Sequence, residues 1–288
     1  MTKESKTKIK ELLERFCAGY DSQAKAAKAL KNVSAATISQ VRNDNWDLIS
    51  DAMWISIGKQ IGFKESDWID AETENYLTVL DLLEDAKLSS RAHALIGRAS
   101  WGKDTGIKAF KRNHTDILSV NCNKLLSERY MLMELLKSGG YMATGTAYAM
   151  QDRLVDVVNK STNPLLIINE MEKLKPGPFD YFITLFNSTE DNAGIILSGT
   201  PYLQTRILNG IAAGKPGYDE IYSRIGCKFI ELERPSKKDV RLICNANGVA
   251  DALEVSEIYN EYKNAGYDLR RVKKLVQNKA EIKGEIAA

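Results

Sequence analysis

Apolar side chains at Ile9, Leu12, Leu13 and Phe16 recur three and four residues apart, and Gly19 follows where a helix would stop. The spacing predicts a first amphipathic helix. The run SQAKAAKALKNVSAATISQVRND then reads as a helix from about Ser22 to Leu30, a tight turn through Asn32 and Val33, and a second helix capped by Ser34 that reaches about Asn43. Trp46, Ile49, Met53, Trp54, Ile57 and Ile61 mark a further amphipathic helix. Four short helices with a brief turn between the second and third make a helix-turn-helix pattern. Val33 and Ile38 are its expected core positions. A small helical bundle that touches no DNA has the same turn. DNA binding is favoured because Ser34, Thr37, Ser39, Gln40, Arg42 and Asn43 crowd the exposed part of the third helix with polar groups able to reach base edges.

The acidic stretch from Gly62 to about Glu74 reads as a linker, and Tyr76, Leu80 and Leu83 predict a helix leading into a second region. From Arg91 short apolar runs alternate with helical segments, the pattern of an α/β fold with a parallel sheet and crossovers. The candidate strands are HALI ending at Ile96, DILSV at Val120, PLLII at Ile168, GIILS at Ser198 and KFIEL at Leu232. Five strands suffice for a doubly wound core. After Pro235 three helical segments follow, around Lys237–Asn247, Ala252–Lys263 and Leu269–Lys283.

Composition sharpens this only a little. With 44% hydrophobic and 27% charged residues, the chain has the make-up of a globular protein, which excludes disordered, collagen-like and disulfide-stapled classes. The net charge of +2 is uneven: residues 1–62 hold ten Lys and Arg against seven Asp and Glu. That mild excess does not by itself mark a polyanion site. Cys17, Cys122, Cys227 and Cys244 lie far apart, so buried reduced thiols are expected and a zinc site is not. The N-terminus MTKESKTKIK lacks the apolar run of a signal peptide, and no window has the length of a membrane span. A cytoplasmic protein is expected.

The sharpest chemical signal follows the first strand. Gly97-Arg98-Ala99-Ser100-Trp101-Gly102-Lys103 is a GxxxxGK loop, whose backbone N–H groups wrap phosphates while the Lys and a helix N-terminus supply positive potential. Asp104 stands where a hydroxyl normally reaches Mg²⁺, with Thr105 one residue on. A helix is expected from Thr105 to Asn113. The strand LLII delivers Asn169-Glu170, an acidic pair whose first member has lost its charge. Glu170 is the candidate for activating water, against the bland reading of a solvated strand-end Glu. Thr200, after Ser198-Gly199, offers a hydroxyl to orient water or sense a γ-phosphate. Arg224 precedes the fifth strand, and GYDLRR opens the last helix with Arg270 and Arg271. A single Arg is usually surface solvation; here the order of the motifs carries the information.

That order resembles the AAA+ ATPases. With the N-terminal helix-turn-helix, the stretches IGRASWGKDTGIKAF, LLIINEMEKLKPGPFD, LSGTPYL and EIYSRIGCKFIEL resemble the phage Mu B type of transposition helper carried by Bacteroides-like mobile elements. The resemblance implies an AAA+ P-loop sheet with a helical lid, preceded by a small all-α domain. Its domains would be 1–62 (DNA binding), 63–90 (linker and lead-in helix), 91–234 (nucleotide-binding core) and 235–288 (lid). It implies ATP and Mg²⁺ as ligands, with Gly97, Ala99, Ser100, Trp101, Gly102, Lys103, Asp104 and Thr105 around the nucleotide. Glu170 would be the catalytic acid, Thr200 the first sensor, Arg270 the second, and Arg224 an arginine finger toward a neighbouring subunit.

The implied partners are double-stranded DNA, further copies of the chain in a filament or ring, and a transposase. Asp104 and Asn169 depart from the family pattern at the two metal-anchoring positions, so either Asp104 replaces the missing carboxylate or hydrolysis is slow. Two readings follow: an ATPase that resets DNA-bound filaments, and a non-hydrolysing adaptor whose AAA+ body is a scaffold. A helix-turn-helix transcription regulator would leave the strand-end motifs unexplained.

Overall fold

Serine hydroxyls open three helices of the N-terminal region. In the computed structural model, which describes residues 3–20, 22–63 and 68–287, α1 spans Lys3–Ala18, α2 Gln23–Lys28, α3 Ala35–Arg42 and α4 Asp51–Gln60. Ser22, Ser34 and Ser50 each accept a hydrogen bond from the backbone N–H three residues on, satisfying a donor that the first helical turn leaves free. Between α2 and α3 the chain turns at Asn32, which adopts a left-handed φ of 58°. Gln23 Nε2 then ties α2 to α3 through Ala35 O at 2.6 Å. Ile9, Leu13, Val33, Ile38, Val41, Trp54 and Ile57 bury one common core.

The amphipathic stretch from Trp46 to Ile61 is not one helix. A 3-10 turn covers Trp46–Leu48, where Trp46 donates to Val41 O, and Ser50 starts α4 afresh.

Met1–Asp67 with Gly140–Met142 form one compact unit, and Trp68–Gly139 with Ala143–Ala288 form the other. In the second unit α5 (Glu74–Ser89) leads to β1 (Ala92–Ile96), α6 (Lys103–Asn113), β2 (Ile117–Asn121), α7 (Glu128–Ser138) and α8 (Ala147–Lys160). Then come β3 (Leu165–Asn169), α9 (Pro176–Thr189), β4 (Gly194–Gly199), α10 (Pro201–Ala212), α11 (Tyr218–Arg224) and β5 (Phe229–Glu231). All ladders are parallel, in the order β2-β3-β4-β1-β5.

Both faces are covered, so successive strand residues are apolar and diverge. Leu95, Leu165, Ile167 and Ile196 pack with α5 and α6, while Ala94, Ile96, Leu166, Ile168, Ile195 and Leu197 pack with the helices on the other face. This is an α/β sheet of the AAA+ P-loop kind preceded by a helical region. Because every strand runs the same way, the ends of β1, β3 and β4 emerge on one rim.

Beyond β5, α12 (Lys237–Ala246), α13 (Ala252–Asn264) and α14 (Leu269–Ala287) enclose Val240, Ile243, Val255, Ile258, Tyr262 and Val272. A capping box between Ser236 and Asp239 starts α12. The acidic stretch expected to be a linker has fixed partners over its last part, residues 64–67 of it lying outside the described residues. Asn247 Oδ1 accepts from Ile69 N, its Nδ2 donates to Ile69 O, and Asp239 accepts from Glu74 N. Trp68 and Ala71 pack on the core of the three helices.

Cys17, Cys122 and Cys244 are buried free thiols, but Cys227 is exposed, contrary to the expectation of burial for all four. It follows Gly226, past the end of α11, with φ 53°.

Candidate nucleotide site

The loop after β1 closes on itself through two left-handed residues. Ser100 has φ 64° and Gly102 φ 94°, and the latter needs glycine because L side chains rarely adopt that conformation. Gly102 then opens α6, so the helix begins at Lys103, two residues earlier than the sequence predicts. The loop and the N-terminus of α6 therefore border the same space, an arrangement suited to anions.

A cavity of about 300 Å³ lies there. Its wall includes Gly97, Ala99, Ser100, Gly102, Lys103, Asp104, Thr105, Glu170, Thr200 and Arg270, so residues from the loop, the start of α6, the positions just past β3 and β4, and α14 converge. Trp68, Ala71, Ile243 and Leu269 add apolar surface to its wall.

Three expected site residues do not line it. Trp101 turns toward the core formed with α5 and α6, and its carbonyl accepts from Asn75 Nδ2 at 3.0 Å. Asn169 lies beneath the wall, buried. Arg224 is held elsewhere: its guanidinium bonds Glu190 at 2.8 Å and Asn187 at 3.0 Å and sits 4.8 Å from the centre of the Phe186 ring.

Lys103 is 7% exposed, and a buried ammonium needs compensation. It reaches Asn169 Oδ1 at 3.3 Å and lies 3.7 Å from Asp104 Oδ1, both longer than the ~2.8 Å of a charge-assisted hydrogen bond. A phosphate in the cavity would supply the missing close anion. Glu170 adopts φ 57° and pairs with Lys173 at 2.7 Å. That hydrogen bond pushes the Lys173 ammonium above its ordinary value.

The sequence reading missed Glu172. Its Oε1 accepts from both Thr200 N (3.1 Å) and Thr200 Oγ1 (2.8 Å), so the Thr200 hydroxyl proton is committed and its lone pairs stay available to a water. Gly199 makes this approach feasible, since a Cβ there would lie 2.6 Å from Glu172 Oε2. Arg206, stacked on Phe179 at 3.8 Å, clamps the carbonyls of Glu172 (2.9 Å) and Leu174 (2.6 Å). The only signal in the sequence was a second acid two residues past Glu170.

Residues 88–207 match the family model described as AAA domain. This match supports an AAA+ ATPase. An AAA domain implies nucleotide binding, usually with Mg²⁺. The loop, Glu170 and Thr200 lie inside the matched segment, whereas Arg224 and Arg270 lie beyond it. No curated protein matches the chain.

The donor set accommodates Mg²⁺ in a limited way. Among the described residues no cluster of three or more His, Cys, Asp or Glu could hold a metal, but Mg²⁺ in nucleotide sites needs only one or two carboxylates besides phosphate oxygens and water. Asp104, on the cavity wall in the first turn of α6, meets that requirement.

On α3, Ser34 and Thr37 bond each other at 2.9 Å, Asn43 donates to Ser39, and Arg42 reaches Gln23 at 3.4 Å. Arg42 and Asn43 are exposed, and Thr37, Ser39 and Gln40 are half-buried. Among the described residues no helix is long and apolar enough to cross a membrane.

Proposed function

We propose that the chain is an ATP-dependent DNA-binding regulator of transposition, which assembles on target DNA and recruits or activates a transposase. The observation that carries the nucleotide part is the convergence of Lys103, Asp104, Glu170, Thr200 and Arg270 on one cavity at the strand ends. Lys103 and the loop amides would hold the β- and γ-phosphates, and Arg270 would bring the lid onto the nucleotide. Glu170 would accept a proton from the attacking water, with the Thr200 hydroxyl oxygen orienting it. Mg²⁺, when bound, would neutralise charge between the phosphate groups.

Arg224 would reach a neighbouring subunit's nucleotide. Head-to-tail contacts of this kind extend into rings or open filaments. A filament multiplies weak basic contacts along one duplex, so the mild N-terminal charge is compatible with strong, salt-sensitive binding. The helix pair α2 and α3, joined at Asn32, supports a helix-turn-helix with Ser34, Thr37, Ser39, Gln40, Arg42 and Asn43 toward DNA; Ser34 would also cap its helix.

A second reading, a DNA-bound adaptor that does not hydrolyse ATP, is favoured by the pairing of Glu170 with Lys173, which withholds the base from water. Phosphate release on adding DNA separates the two. Turnover well above a Lys103→Ala control supports the ATPase, and turnover equal to the control leaves the adaptor. Deleting residues 1–62 is expected to weaken DNA binding while sparing assembly; undiminished binding in a filter or gel-shift assay would rule out α3 as the contact. Arg224→Ala is expected to lower nucleotide-dependent assembly in sedimentation while nucleotide uptake by single subunits persists.

A further inference from the structure

Asn169 is buried, and each of its hydrogen-bonding positions is taken. Oδ1 accepts from Lys103 Nζ at 3.3 Å and Ser198 Oγ at 2.9 Å, while Nδ2 donates to Asp104 Oδ1 and Asn121 Oδ1, both at 3.0 Å. An amide has two lone pairs and two N–H groups, so nothing remains for a metal. The amide orientation is fixed by its neighbours' chemistry. Lys103 can only donate and ionised Asp104 can only accept, so exchanging O and N would set N–H against the ammonium and oxygen against the carboxylate.

Asp104 has the opposite character. Its side chain is half exposed on the cavity wall, and Asn169 holds one of its oxygens. It lies in the first turn of α6, where the helix dipole favours negative charge. A carboxylate at position 169 would lie about 3 Å from that of Asp104 and repel it; the amide turns the same approach into a hydrogen bond.

We propose that this chain carries the anionic ligand of its divalent-cation site on the helix, at Asp104, and that Asn169 is a positioning residue for that carboxylate and for Lys103. The ligand charge has moved from the strand to the facing helix, and the two departures from the expected motif are one compensated exchange. This rests on the nucleotide reading of the cavity, and the test separates the two.

The affinity of a fluorescent ATP analogue is measured in Mg²⁺ and in EDTA, with Mn²⁺ uptake by the nucleotide complex followed by electron paramagnetic resonance. Wild type is expected to bind more tightly in Mg²⁺, by a ratio on the order of tenfold, within the usual range of coupling between two ligands. Asp104→Asn should bring that ratio close to one and release bound Mn²⁺. Its affinity in EDTA should equal or exceed wild type, because the negative charge beside the phosphates is gone. Asn169→Ala should lower the ratio without erasing it. Asp104→Thr should lose the ratio, and adding Asn169→Asp should restore it.

Thermal unfolding of each variant identifies any that fail to fold; Asp104→Asn changes a half-exposed group and is expected to melt with wild type. A wild-type ratio retained in Asp104→Asn, or no recovery in the Thr/Asp double variant, would overturn the proposal. Equal wild-type affinity in the two buffers would overturn it too, while leaving the nucleotide site standing. No uptake of nucleotide in either buffer would overturn the reading of the cavity itself.

Discussion

At single side chains, the second acid after β3 separates what was legible in the sequence from what was not. Glu170 could be picked out because it directly follows an apolar strand. Glu172 carries no such mark, since its role depends on β4 bringing Thr200 within 2.8 Å and on Gly199 leaving room. Both conditions are non-local. If Glu172 fixes the Thr200 hydroxyl, Glu172→Ala should lower kcat for ATP by about tenfold, the cost of one ~1.4 kcal/mol transition-state interaction. KM should stay near wild type, and Glu172→Gln, which keeps an accepting oxygen, should recover most of the rate. Steady-state kinetics check both. A matched fall in Glu172→Gln would point to the charge itself.

Among the elements, periodicity and strand-to-helix alternation located all five strands within a residue or so, because strands buried on both faces read as apolar runs bounded by turns. Reading Trp46–Ile61 as one helix failed because the Trp46 and Ile49 side chains keep an apolar rhythm while the backbone at 46–48 is a 3-10 turn. The partners of residues 68–74 were equally hidden, since an acidic segment can form backbone hydrogen bonds with Asn247 and Asp239 whatever its polarity.

Asn75 on α5 illustrates such hidden joints. Its amide donates to Trp101 O in the loop after β1 and to Glu233 O after β5, and its oxygen accepts from Glu233 N. Asn75→Ala would orphan these groups in a buried place, at a cost of roughly 2 kcal/mol. The melting temperature should fall by roughly 4–8 °C, readable by calorimetry. A shift below a degree would mean water replaces the amide without loss.

For the whole molecule, the thiols report whether the core is closed. Burial pushes Cys122 up to about 12 and Cys244 up to about 11, and raises Cys17. Since a thiol reacts as its thiolate, all three should remain protonated and shielded at pH 8, whereas Cys227 is exposed. Native protein should therefore release one equivalent of chromophore from a disulfide reagent, and denatured protein four. Two or more fast equivalents before unfolding would mean that a core opens locally.

The exposed position of Cys227 has a practical consequence. Three residues from Arg224, the native chain offers an attachment point for a maleimide dye, with no need to remove the other cysteines. A fluorophore there would stand beside the arginine proposed to meet the next subunit. Its anisotropy could then follow assembly in real time, in a protein otherwise left as nature wrote it.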